Sequence, residues 1–402
     1  MKEYHFDEIA DRKVDHCRKW DRKIVEEKFG DVPENFIPMW IADMDFKAAP
    51  EINEAFRKII DNGAYGYTYT YEDFFNAVMN WQKKRHGNEV NKEWITLSYG
   101  TVSTIHYLYQ AFCPSNGKVM FNTPVYNPFS YAAKNNQFET IHNQLIYENY
   151  AYRIDFSLLE EQLKVEKPQL FLFCSPHNPS GKIWRKDELE RIAFLCKKYG
   201  TLLVVDEVHS EIILSGEFTS ALQLPEKYLD NLVVLTSPNK AFNLGGLKTS
   251  YSIIPDESKR SLFQQQLKMN AITSPNVFGV TGLIAAYDYG EEWLEQLTLY
   301  LRQNYDFSKQ FIEKNIANWK VVPVEASYLP WIDISETGKT SLEWVDYLAK
   351  KAGVIIEPGN NFTADGNQFL RINIGTSRVI LEEALKRIKN CQDEFGPKGS
   401  EK

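Results

Sequence analysis

The chain has 402 residues, of which 43% are hydrophobic and 25% charged, enough for a large core and about two to three domains. A net charge of -8 argues against nucleic acid and anionic membrane as main partners, since both need basic surface. The five cysteines are scattered, odd in number and without a CxxC pair, so a disulfide framework or thiolate metal site is not expected.

The first 45 residues, which carry no apolar leader, are too short a piece to fold alone and are expected to pack with a later part of the chain. "SYGTVSTIHYL" (98–108) puts Gly100, Thr101 and Val102 at a helix start, where free N–H groups and the helix dipole make an anion seat. An apolar run at 119–123 predicts a strand, followed by Tyr126 in "TPVYNPF" and a helix over 126–136. The run at 169–174 predicts a second buried strand, ending at Asn178 in "SPHNPSG". A helix over 186–199 follows, with Leu189, Ile192, Ala193 and Cys196 on one face. Strands at 201–205 and 232–236 lead directly to Asp206 in "VVDEVH" and to Lys240 on the turn "SPNKAF"; another strand is expected at 250–254. Strands separated by helices predict a mostly parallel sheet with helices on both faces. Ligands bind such sheets beyond the carboxyl ends of the strands. Past residue 290 the pattern changes to a helix at 293–315, short strands near 320–322 and 328–332, a helix at 342–351, a strand at 369–374 and a helix at 379–391. The expected division is a large domain over 46–290 and a smaller α+β domain built from 1–45 and 291–402, with a polar tail at 396–402.

Several motifs exclude other chemistries. "TGKTS" (337–341) ends like a phosphate-binding P-loop, but Asp333 stands where glycine is required, so it reads as a polar loop. No GxGxxG follows a predicted strand, which disfavours a nicotinamide dehydrogenase. No ligand spacing appears among the seven histidines, so no metal is expected. No run of about 18 apolar residues predicts a membrane span, and the cytoplasm is the expected location.

Each remaining feature has an ordinary reading by itself: Lys240 as a solvated charge, Asp206 as a helix cap, Asn178 as a turn residue, Tyr126 as a core aromatic. Together and in order they describe one pocket with an anion seat, an aromatic plate, an amide, a carboxylate and a lysine. Pyridoxal 5′-phosphate would use all five, with the lysine forming a Schiff base and the carboxylate keeping the ring nitrogen protonated.

"PMWIADMDF" (38–46), "YGYT" (65–68), "CSPHNPSGKIW" (174–184), "DEVHSEI" (206–212), "SPNKAFNLGGLK" (237–248) and "FLRINIGTSR" (369–378) span nearly the whole chain. On these motifs it resembles the fold-type I pyridoxal-phosphate enzymes of the class I/II aminotransferase superfamily, and within them the MalY/PatB group of cystathionine β-lyases. The resemblance implies an α/β fold with a seven-stranded, mostly parallel sheet plus a smaller domain. It implies Lys240 as the Schiff-base lysine and Cα base, Asp206 as the ring-nitrogen partner, Asn178 on the phenolic oxygen and Tyr126 on the ring face. Ser237, Lys248 and the N–H groups of Thr101 and Val102 would hold the phosphate. Tyr67 would reach the phosphate of a neighbouring subunit, making a homodimer with shared active sites. Arg371 would grip the α-carboxylate of an amino-acid substrate. Asp43 would line the substrate channel; Trp40 would line it or pack in the core. His209 would also contact the cofactor; it matches the "DExH" form of this group, where many aminotransferases carry tyrosine. Lys248 stands where many members carry arginine, keeping the charge without the planar fork. Arg378 is expected to be structural, His177 a turn residue and His106 a core residue. The implied reaction is α,β-elimination of L-cystathionine or a related cysteine S-conjugate to a thiol, pyruvate and ammonia. An aminotransferase and a cofactor-binding regulatory protein are the alternatives.

Overall fold

In the strands Leu170–Cys174, Leu202–Asp206 and Leu232–Thr236 every residue is buried, as expected of strands covered on both faces. The period of two then sorts side chains by face. Leu170, Leu172, Leu202, Val204, Val233 and Leu235 share a core with Ile105, Leu108, Phe129 and Phe263. Phe171, Phe173, Leu203, Val205, Leu232 and Val234 belong to a second core with Leu189, Ile192 and Ala193. The computed structural model describes residues 2–362 and 366–395, so the tail expected at 396–402 lies outside the described residues.

The seven-stranded sheet has the order Ile95–Ser98, Ser250–Ile253, Leu232–Thr236, Leu202–Asp206, Leu170–Cys174, Lys118–Thr123, Glu139–Gln144. Ser250–Ile253 runs against both of its neighbours. The remaining pairs are parallel. Register sets Asp206 opposite Cys174 on one side and Leu235 on the other. The loops carrying Asn178 and Lys240 therefore leave the sheet on either side of Asp206.

A second sheet orders Ile37–Met39, Val354–Pro358, Phe369–Arg371, Trp331–Asp333 and Lys320–Val321. Ile37–Met39 pairs in parallel with Val354–Pro358, so the lead-in supplies a strand to the C-terminal sheet. The strand expected at 328–332 begins only at Trp331. Upstream, Ala326 bridges to Ile213 and Ser327 has φ +76°, so that stretch pairs with the loop that follows Leu202–Asp206 instead. The strand expected at 369–374 stops at Arg371. Among the described residues no helix is long and apolar enough to cross a membrane.

In "TGKTS", Thr340 caps the helix Ser341–Lys351 in a reciprocal capping box with Glu343, which accounts for the polar run. Arg378 opens the last helix, donates from Nε to Asn304 Oδ1 at 2.9 Å and lies 4.6 Å from the Phe307 ring. His177 sits in a buried turn, 2.8 Å from Ser180 Oγ. His106 is not in the core: it is half-buried, with Nδ1 2.9 Å from Asn136 Nδ2, because its helix face meets polar Asn136 rather than apolar side chains.

Candidate active site

At the carboxyl ends of the large sheet, a cavity of about 160 Å³ is lined by Gly100, Thr101, Val102, Tyr126, Asn178, Asp206, His209, Lys240 and Lys248, with Ala42 reaching in from the lead-in. Eight of these ten, all but Gly100 and Ala42, are residues the sequence assigns to the cofactor.

The helix Thr101–Phe112 starts after Gly100 at φ +77°, a left-handed conformation that suits glycine. No side chain caps this end, so the first-turn N–H groups are left to the cavity, at the positive end of the helix dipole. Lys248 faces the same turn; a Cβ on Gly100 would lie 3.7 Å from its Cα. Asp206 continues the face of Leu202 and Val204, and its Oδ1 accepts from the Val208 N–H at 3.1 Å. Burial raises its pKa to about 7, against that hydrogen bond and the charge of Lys240. A buried carboxylate in this state gains most from a cation beside it.

Lys240 Nζ donates to the Ala42 carbonyl at 2.5 Å. Burial, aided by the charge of Arg371, lowers its pKa to about 8, against Asp43 and Asp206. Its neutral, nucleophilic form is therefore reached near physiological pH. His209 is driven down to about 3 by burial, then by Lys240 and Arg371, and is a neutral ring. Burial also raises the phenol of Tyr126.

The other expected residues stand outside the lining. Arg371 is buried; Nη1 donates to Asn178 Oδ1 at 3.3 Å and Nη2 to the Trp40 carbonyl at 2.9 Å. Its Nε has no hydrogen-bond partner among the described residues, an unmet donor that suits a carboxylate. Asn178 spends its oxygen on Arg371, which leaves its amide N–H groups for the cavity. Trp40 is a core residue rather than a channel wall: its indole N–H donates to the Lys19 carbonyl at 3.1 Å and its ring packs edge-on to Phe29 at 5.3 Å. The Asp43 carboxylate is held by Arg12 through two 3.1 Å contacts and acts on Lys240 only through its charge. Ser237 is buried outside the lining, its hydroxyl donating to the Thr249 carbonyl at 2.7 Å and accepting from the Asn239 N–H at 3.1 Å. Tyr67 is 102% exposed, on a stretch where Tyr65, Tyr69 and Tyr71 are exposed too.

Sequence reasoning missed the frame that holds Ala42. Tyr328 donates from its hydroxyl to the same carbonyl at 3.2 Å. Asn373 donates to the carbonyls of Ile41 and Asp43 at 2.6 and 2.7 Å. Asn243 donates to those of Met44 and Phe46 at 2.9 and 3.0 Å. Lys19 and Asp45 form a fully buried ion pair at 3.0 Å beneath them. The available signal was polar asparagine inside "FLRINIG" and next to "SPNKAF".

A lysine and a carboxylate at adjacent strand ends, facing an uncapped helix start, are the site geometry of an α/β enzyme that holds a phosphorylated cofactor. The chain belongs to the class I and II aminotransferase family, whose model matches residues 37–388. It is 37% identical over 386 residues to the cystathionine beta-lyase PatB of Bacillus subtilis (strain 168), covering 96% of this chain and 99% of that protein. Cystalysin from Treponema denticola, whose crystal structure contains a pyridoxal 5′-phosphate cofactor, superposes with a TM-score of 0.93 at 30% identity, over 98% of this chain and 100% of that one. The PLP-bound C–S lyase of Staphylococcus hominis superposes with a TM-score of 0.88 at 30% identity, over 97% and 98% of the two chains.

Proposed function

We propose that this chain is a pyridoxal 5′-phosphate-dependent carbon–sulfur β-lyase that cleaves L-cystathionine or a related cysteine S-conjugate to a thiol, pyruvate and ammonia, with one water consumed. The observation that carries this reading is the Asp206 carboxylate and the Lys240 amine facing one cavity together with an uncapped helix start, where burial favours the neutral form of both groups. The residues fit the cofactor: a protonated ring nitrogen relieves Asp206, the helix start and Lys248 suit a phosphate, and the Lys240 amine suits an aldehyde. Bound there, the cofactor supplies an electron sink that acidifies the Cα–H of an amino acid and lets a thiolate leave from Cβ.

Lys240 holds the cofactor and, once substrate has displaced it, takes the Cα proton; a base near pKa 8 is matched to that task around neutral pH. Asp206 keeps the ring nitrogen charged, Asn178 donates to the phenolic oxygen and Tyr126 covers the ring face. The N–H groups of Thr101 and Val102, with Lys248 and Ser237, hold the phosphate. Arg371 orients substrate through its α-carboxylate, and Trp40 steadies Arg371 through its carbonyl. Similarity to the cystathionine beta-lyase PatB and to the Staphylococcus hominis C–S lyase supports the lyase over an aminotransferase. Residues 46–290 form the cofactor-binding domain and 1–45 with 291–402 the smaller one, which the pairing of Ile37–Met39 with Val354–Pro358 supports. The working form is a cytoplasmic homodimer, in which Tyr67 reaches the partner's phosphate.

Incubation of the purified protein and pyridoxal 5′-phosphate with L-cystathionine should release thiol and pyruvate without a 2-oxo-acid acceptor. Lys240→Ala should lose both the turnover and the visible absorbance of the lysine-bound cofactor. Amino transfer to a 2-oxo acid with no thiol or pyruvate would overturn the reading.

A further inference from the structure

Ser327 has φ +76°, a left-handed conformation that non-glycine residues rarely adopt. The surrounding chain holds it there. Its N–H donates to the Ile212 carbonyl at 2.8 Å, and the N–H groups of Glu325 and Ala326 both donate to the Gly181 carbonyl, at 3.0 and 2.9 Å. Gly181 permits this close approach, because a Cβ there would lie 2.6 Å from Val324 Cγ1 and 2.8 Å from the Ala326 oxygen. Backbone strain maintained in this way beside a site points to a task for the side chain.

The Ser327 hydroxyl lies 3.1 Å from His209 Nδ1 and is buried. His209 lines the cavity and Ser327 does not, so the Nε2 edge is what the ring offers to the cavity. The ring is neutral, because burial next to Lys240 and Arg371 holds it there. A neutral imidazole has one N–H and one lone pair, so the partner of Nδ1 decides what Nε2 can do. With the proton on Nδ1, the serine proton would be buried with no acceptor among the described residues. With Ser327 as the donor, both groups are satisfied.

We propose that Ser327 is a positioning residue: its hydroxyl donates to His209 Nδ1 and holds the ring as the Nε2–H tautomer, aiming a fixed hydrogen-bond donor into the cavity. The consequence rests on the lyase reading. There the donor would serve an electron-rich oxygen of the cofactor or substrate, and the phenolic oxygen of pyridoxal 5′-phosphate, which Asn178 in the same lining would also hold, is the candidate. A donor on that oxygen withdraws charge from it and weakens its hold on a neighbouring proton.

The full chain labelled with ring-15N histidine, with and without pyridoxal 5′-phosphate, reads the tautomer directly, and His209→Gln identifies the signals. Wild type should show a pyridine-like Nδ1 and a pyrrole-like Nε2. Ser327→Gly removes the hydroxyl while accepting the positive φ; it should lose that single pattern, and a protonated Nδ1 should appear. In the holoenzyme the same variant should raise the pH midpoint of the visible band by about half a unit or more, as loss of one hydrogen bond implies. A wild-type ring protonated on Nδ1, or a Ser327→Gly ring unchanged from wild type, overturns the proposal. Should Ser327→Gly fail to fold, Ser327→Ala carries the same comparison and the wild-type spectrum still decides the tautomer. A wild-type protein that takes up no cofactor overturns the lyase reading alone, since the spectrum of the cofactor-free chain is read independently.

Discussion

Burial shifts both Asp206 and Lys240 toward their neutral forms, which costs stability in each case but with opposite pH dependence. Asp206 has a folded pKa of about 7 against an ordinary 3.8, so the folded chain binds more protons between those values. Its contribution to stability therefore falls as pH rises through that window, and the full cost stands above about 7. In cofactor-free protein, Asp206→Asn should raise stability at pH 8 by on the order of 1–4 kcal/mol, a few degrees in Tm, and change little at pH 4. Calorimetry at the two pH values checks this; an equal gain at both would contradict the assignment. In the holoenzyme the same variant should cost activity about 100-fold or more, because an amide cannot hold the ring-nitrogen charge. Lys240 and Asp206 were legible in the sequence because each follows an apolar strand run. Ala42, Tyr328 and Ser327 were not, because they act through a backbone carbonyl or across long separations, 118 residues for Ser327 to His209 and 286 for Tyr328 to Ala42.

The elements around the cavity are joined by a buried ion pair. His86 Nε2, at the end of the helix Glu72–His86, lies 2.8 Å from Glu211 Oε1, and Trp81 from the same helix donates to that oxygen at 2.9 Å. Glu211 is two residues past His209, so the pair ties this helix to the loop that carries the cavity wall. Burial pulls the His86 pKa down, but the Glu211 carboxylate outweighs it and the net shift is upward. Stability from His86 is thus fully present below about 6.5 and is lost as pH rises through its folded value. Glu211→Gln should destabilise by about 3 kcal/mol in urea unfolding at pH 6, and by clearly less at pH 9. A penalty that grows between those values would exclude the ion pair as its source. Strands of the large sheet were readable at Leu170–Cys174, Leu202–Asp206 and Leu232–Thr236, where the run is almost wholly apolar, and Glu139–Gln144, with Ile141 as its one aliphatic residue, was not. Ile95–Ser98 was not, because Thr96 and Ser98 break its run; Ser98 is buried only because Ser250 and Thr104 accept or donate at 2.9 and 2.5 Å. The strand near 328 was misplaced because backbone crossing to Ile212 and Ile213 leaves no pattern in the side chains.

At the scale of the molecule, the cavity is lined by Ala42 from the lead-in and five loops of the large sheet, and Arg371 of the second sheet, outside the lining, is tied to it through Asn178. The order of the motifs made the fold class legible, since strand-end residues in sequence map onto one edge of one sheet. Tyr67 alone among the expected cofactor residues is fully exposed in the protomer. Exposed aromatic stretches of this kind are characteristic of interfaces. If Tyr67 acts across a two-fold interface, a site needs Lys240 from one protomer and Tyr67 from the other. Tyr67→Ala and Lys240→Ala proteins should then each be weak alone. Mixed, unfolded and refolded together at equal amounts, they should regain roughly a quarter of wild-type activity, because half the dimers are hybrids with one intact site. Should Tyr67 serve its own protomer, the hybrid contains no intact site, and the mixture will show no more activity than its two parents.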